Sequence, residues 1–76
     1  MKNLVEHVVR SLVDSPEQVI VDEIAEGKAT RYELRVAPDD LGQVIGRQGR
    51  TARAIRTLLE TAGSKQHRRF LLDIID

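Results

Sequence analysis

Val44-Ile45-Gly46-Arg47-Gln48-Gly49-Arg50-Thr51-Ala52-Arg53-Ala54-Ile55-Arg56 decides how the rest of this 76-residue chain is read. Two glycines bracket two polar residues, and apolar residues at helical spacing flank them on both sides. Glycine takes backbone angles closed to other residues and lets a second backbone come close. Arginines recur at 47, 50, 53 and 56, and no acid lies between Asp40 and Glu60. Arginine suits phosphate because its planar fork offers paired, charged donors. The run therefore reads as a tight turn between two helices, placed to receive a phosphate-bearing visitor.

Working outward, Leu41, Val44 and Ile45 form the apolar side of a short helix that Gly46 stops. Pro38-Asp39-Asp40 opens it, with an aspartate expected to cap its free N–H groups. On the other side a helix is expected from Arg50 or Thr51 to about Ala62. Its buried stripe reads as Ala54, Ile55, Leu58, Leu59 and Ala62, with Gly63 just past its end. Residues 30–36 alternate, with Tyr32, Leu34 and Val36 on one face and Arg31, Glu33 and Arg35 on the other. That is a half-exposed strand. The β-branched stretch 18–25 is a second strand, joined to it across the turn Glu26-Gly27-Lys28-Ala29. Residues 2–13 place Leu4, Val5, Val8, Val9, Leu12 and Val13 at helical spacing, and Asp14-Ser15-Pro16 ends that helix. Arg69 to Ile75 reads as the last strand, with Phe70, Leu72 and Ile74 on one face. The order is α-β-β-α-α-β, an α+β class. It implies a three-stranded mixed sheet with three helices on one face, in one domain over residues 1–76. The long connection between the second and third strands permits parallel pairing.

Composition removes several function classes. There is no cysteine, hence no disulfide framework and no thiolate metal site. His7 and His67 are far apart and lack metal-ligand spacing. No nucleophile–base pair is visible, and Gly42-Gln43-Val44-Ile45-Gly46 lacks the Gly-Lys-Ser/Thr ending that nucleotide hydrolysis needs. Asp39 and Asp40 are read as capping residues rather than a catalytic pair. No enzyme and no cofactor are expected. No apolar run is long enough to span a membrane. The start, Met1-Lys2-Asn3-Leu4, enters a charged amphipathic pattern rather than a signal peptide, so a cytoplasmic protein is expected. Net charge is zero, but residues 1–40 carry a balance of −4 and residues 41–76 a balance of +4. Such a dipolar domain turns one basic face to a polyanion.

The run Val44-Ile45-Gly46-Arg47-Gln48-Gly49-Arg50 resembles the signature of KH domains, whose GXXG loop clamps a stretch of about four single-stranded nucleotides. The element order is similar to the type II, prokaryotic KH topology. The longer run from Gly46 to Leu58 is similar to the small stand-alone bacterial KH proteins of the KhpA family, and the likeness covers essentially the whole chain. The resemblance implies a non-catalytic binder of single-stranded RNA, with DNA as the other candidate strand. Gly46, Arg47, Gln48 and Gly49 would form the clamp. Leu41, Val44 and Ile45 would supply one wall of an apolar groove. The strand around Arg35 and Val36, or the final strand, would supply the other. Arg50 and Arg53 would reach phosphates, and Arg56, nearly two turns into the helix, is the weaker phosphate candidate. The resemblance also implies an RNA chaperone or regulator linked to cell-envelope homeostasis. It would self-associate or pair with a larger KH-containing protein. Ala52 departs from the pattern, since many KH domains carry a large aliphatic residue there.

Only Tyr32 and Phe70 are aromatic, which disfavours modules that stack several bases on exposed rings. Phe70 reads as core, and Tyr32 is open between core and surface. A competing reading is a protein-interaction scaffold. In it the first helix, or the helix over 51–62 with its small residues Ala52, Ala54 and Ala62, presents a dimer face.

Overall fold

A computed structural model describes residues 1–76. Its elements are α1 (Lys2–Leu12), β1 (Ile20–Glu26), β2 (Ala29–Arg35), α2 (Leu41–Ile45), α3 (Arg50–Lys65) and β3 (Arg69–Ile74). The α-β-β-α-α-β order is as expected. Short 3₁₀ turns at Pro16–Gln18, Pro38–Asp40 and Arg47–Gly49 join them. The first of these turns displaces the start of β1 from residue 18 to Ile20. Proline at its first position fixes the backbone for a turn rather than a strand.

The sheet runs β1-β2-β3, antiparallel then parallel. Glu26 pairs with Ala29, so Gly27 and Lys28 alone make the hairpin turn. β2 is central and both of its edges are paired. β3 is an outer strand. Its Arg69 N–H donates to the Lys28 carbonyl at 3.3 Å, and the Ile75 N–H beyond it donates to the Leu34 carbonyl at 2.9 Å. Residues of that parity face β2, so Phe70, Leu72 and Ile74 turn their backbone groups to the free edge.

Val5 and Val9 of α1, Val21, Tyr32, Leu34, Phe70 and Leu72 of the sheet, Val44 of α2, and Ile55 and Leu59 of α3 make one core. Tyr32 is 2 % exposed, which settles it as a core residue. Its ring meets Phe70 edge-on, with centroids 5.9 Å apart. Burial first, and then Glu23 nearby, pushes its phenol up to about 12. The ring therefore stays neutral inside the core around neutral pH.

Three expectations need correction. Ala54 and Leu58 are not on the buried stripe of α3; it runs through Ala52, Ile55, Leu59 and Gly63. The helix is rotated so that the smaller Ala52, not Ala54, faces the core, and Leu58 is left 53 % exposed. Second, α3 does not end at Ala62. Gly63 lies inside it, buried, because a side chain there would strike the Arg68 carbonyl. The helix closes farther on, with His67 at φ +55° and the Arg68 N–H donating to the Gly63 carbonyl at 2.8 Å. That is a Schellman ending with histidine in the left-handed position usually held by glycine.

Third, Asp40 makes no capping hydrogen bond to α2. It is buried, and its carboxylate accepts the N–H groups of Asp14 at 3.2 Å and Ser15 at 3.0 Å. It thus satisfies the loop leaving α1, and the side chain ties the first helix to the entry of the glycine run. No helix of the structure is long and apolar enough to cross a membrane.

Candidate nucleic-acid interface

The glycine run folds as a tight corner between α2 and α3. The Gly46 N–H closes α2 on the Gly42 carbonyl at 2.8 Å. Gly46 then takes φ 77°, ψ 171°, a conformation open essentially to glycine alone. Thr51 explains the tightness. A Cβ on Gly46 would overlap the Thr51 hydroxyl and come within 2.7 Å of its backbone nitrogen. Gln48 (φ 58°) and Gly49 (φ 74°) both lie in the left-handed region, and the Gly49 N–H returns to the Gly46 carbonyl at 3.1 Å. Unlike Gly46, Gly49 has open space where a Cβ would be. The first glycine thus answers to packing and backbone angle together, the second to backbone angle alone.

This corner thrusts Arg47 and Gln48 into solvent; both are exposed. The Arg50 guanidinium donates to the Gln48 side-chain oxygen at 3.5 Å, which leaves the Gln48 amide N–H groups facing outward. No side chain caps the start of α3. Its first-turn N–H groups and the positive end of its dipole therefore sit beside the corner.

The electrostatics follow from the acid-free stretch. Arg10, Arg31 and Arg35 are all in ion pairs, with Glu6, with Glu26, Glu33 and Asp73, and with Asp22 respectively. Arg47, Arg50, Arg53 and Arg56 are in none. The ion-paired charges lace the open face of the sheet, where Asp22, Glu33 and Asp73 stand side by side in register. The charge asymmetry of the sequence becomes a basic corner set apart from a neutralised face.

The remaining expected site residues divide. Val44 is 0 % exposed and packs into the core, so it holds α2 in place and offers no surface to a ligand. Leu41 is half-buried, while Ile45, 38 % exposed, presents its side chain beside the corner. Arg50 and Arg53 are exposed. Ala52 is buried against the core, so its small size sets how closely α3 approaches the sheet. Of the two strands expected as a second wall, one has an open edge. β2 is paired on both sides, whereas β3 runs beside α3 with its outer edge unpaired by any strand. Arg56 reaches that edge. Its Nε and Nη2 both donate to the Leu72 carbonyl, at 3.4 and 3.3 Å. Sequence reasoning set Arg56 aside as a phosphate ligand and had no signal for this contact, made across 16 residues. Neither Tyr32 nor Phe70 is available as a stacking platform. No group of histidine, cysteine and carboxylate side chains is arranged to hold a metal.

Compared with known proteins, residues 2–74 match the family model described as KhpA/KhpB, KH domain. The chain is 54 % identical over 76 residues to a protein of Halalkalibacterium halodurans named RNA-binding protein KhpA, covering all of both chains. A protein of the same name from Clostridium acetobutylicum is 47 % identical over 75 residues, 99 % of this chain and 100 % of its own. Another, from Borreliella burgdorferi, is 49 % identical over 73 residues, 96 % and 89 % of the two chains. No solved structure matches the chain.

Proposed function

The chain belongs to the KhpA/KhpB family of KH domains, and on that premise we propose that it binds single-stranded RNA without catalysing a reaction. The Gly46–Gly49 corner holds the sugar-phosphate backbone. Arg47 and the Gln48 amide contact phosphate oxygens, and Arg50 and Arg53 add charge along the strand. Ile45 and the exposed part of Leu41 form the near wall for the bases, and the edge of β3 forms the far wall. The observation that carries this reading is the corner itself: a backbone only glycine adopts at Gly46, projecting polar side chains among four arginines that no carboxylate neutralises. A site with so few phosphate contacts binds weakly and in a salt-sensitive manner. That fits an RNA chaperone or post-transcriptional regulator of the cytoplasm, acting in cell-envelope homeostasis. DNA is the competing strand in any assay. Titrating a short single-stranded RNA into labelled protein, residue by residue in NMR, tests the placement. Shifts should concentrate at 41–56 and along β3. Shifts centred on α1 or on the open face of the sheet would move the site.

Pairing would strengthen such a site, since linked sites add avidity. Leu58 and Ala54 favour it. Both are exposed on the outer face of α3, beside Thr57, an apolar surface the monomer does not use. We assign this face to self-association or to pairing with a larger KH-containing protein. Of the alanines expected to ease helix approach, Ala54 serves here, Ala52 is buried and Ala62 is half-buried. Sedimentation across concentration should show a dimer that Leu58→Glu dissociates. A strict monomer at all concentrations, with no KH partner retained, would remove this part of the reading.

A further inference from the structure

We propose that Arg56 reads a base in this groove and selects bases that offer two adjacent acceptors: cytosine through O2 and N3, or guanine through O6 and N7. The proposal rests on the RNA-binding reading above and assigns it a specificity residue. The starting point is the way the guanidinium is held. Nε and Nη2 both donate to the Leu72 carbonyl, so one edge of the fork is committed to the protein. An arginine carries five N–H donors in a fixed plane. Committing one edge fixes the orientation of that plane and leaves the other paired donors, on Nη1 and Nη2, without a partner in the protein. No carboxylate lies within ion-pair distance of Arg56, unlike the three arginines engaged in ion pairs elsewhere. Glu60, one turn farther along the helix, does not take it.

Position separates Arg56 from the phosphate contacts. It lies six residues beyond Arg50, about 9 Å along the helix axis at 1.5 Å per residue. A strand clamped by its backbone at the Gly46–Gly49 corner projects its bases away from that corner. Arg56 stands alongside β3, in the cleft where the side of α3 meets Phe70, Leu71 and Leu72. The outward backbone groups of the β3 edge flank it. A pre-oriented pair of donors there complements an acceptor–acceptor edge, the pairing by which arginine reads guanine in duplex DNA. Adenine and uracil place a donor next to each acceptor, so they meet only one of the two guanidinium donors and oppose the other. Exposed single-stranded bases offer both their Watson–Crick and Hoogsteen edges to such a reader.

The test uses the full chain and uridine heptamers carrying a single central cytosine, guanine or adenine, beside the all-uridine strand. The wild type should bind the cytosine or the guanine strand at least fivefold more tightly than the adenine and uridine strands. The two favoured arms separate the Watson–Crick edge from the Hoogsteen edge. Arg56→Lys keeps the charge and removes the fork. It should reduce the preference to under twofold while weakening the all-uridine strand by no more than two- to threefold. Arg56→Gln, which retains an amide donor, should behave likewise, and melting curves verify that both variants are folded. A residue that only tied α3 to β3 would lower the melting temperature and weaken all four strands alike. A wild type that binds all strands equally, or a preference that survives Arg56→Lys, overturns the assignment of Arg56 alone. Absence of binding to every strand overturns the RNA-binding reading and this assignment together.

Discussion

Replacing Gly46 by alanine is expected to lower the melting temperature by about 15 °C, using 4–8 °C per kcal/mol for a domain of this size. Two independent costs combine. The backbone at φ 77°, ψ 171° lies in a region that side-chain-bearing residues avoid, worth about 1–3 kcal/mol. The added methyl would also overlap Thr51, including its backbone nitrogen, so a rotamer change cannot relieve it. Overpacking of this kind costs about 1–3 kcal/mol. The natural relaxation is to swing the start of α3 away from α2, which opens the corner that would hold RNA. Gly49→Ala is the internal control. Its φ of 74° is unfavourable, but nothing occupies the space where the methyl would go. Its cost should stay near 1 kcal/mol, or roughly 5 °C. Thermal unfolding followed by circular dichroism checks both. Equal effects for the two glycines would mean that backbone angle alone, and not the contact with Thr51, governs the corner.

The second large effect is on affinity rather than stability. Arg47→Asp combined with Gln48→Asp should weaken RNA binding by about 100-fold at moderate salt. Hydrogen bonds to charged groups contribute about 1.5–3 kcal/mol each, and about 2.7 kcal/mol corresponds to that factor. The fold should be nearly indifferent. Both side chains are exposed, neither is in an ion pair, and aspartate tolerates the left-handed conformation that Gln48 adopts. The salt response gives a second readout. For a single-stranded ligand, removing one neutralised phosphate lowers the slope of log affinity against log salt by about 0.7. The variant should therefore bind more weakly and also with less sensitivity to salt.

The fold was legible in the sequence where periodicity is local. The alternation of Tyr32 and Leu34, the rhythm of Val5 and Val9, and the arrest at Gly46 each report a single element, and each is found where it was read. What was illegible depends on distant residues. Asp40 resembles a helix cap by its neighbours alone, yet its partners are 25 and 26 residues earlier in the chain. Gly63 resembles a stop signal until the Arg68 carbonyl is seen packed against it. The rotation of α3 that exposes Ala54 and Leu58 follows from how close the small Ala52 lets the helix sit. Helical spacing alone allows both faces. The candidate site divides the same way. The glycines and arginines stand out by type and spacing. The open edge beside α3 required the strand order, and the hold of Leu72 on Arg56 required the edge of β3.

At the centre of the account is the claim that the Gly46–Gly49 corner grips a nucleic-acid backbone. It is tested most directly by titrating one short single-stranded RNA into the wild type and into the Arg47→Asp, Gln48→Asp variant. Both proteins should be in the same buffer, with melting curves of each. The account predicts affinity reduced by about two orders of magnitude at an essentially unchanged melting temperature. A folded variant that binds this RNA as tightly as the wild type would contradict it.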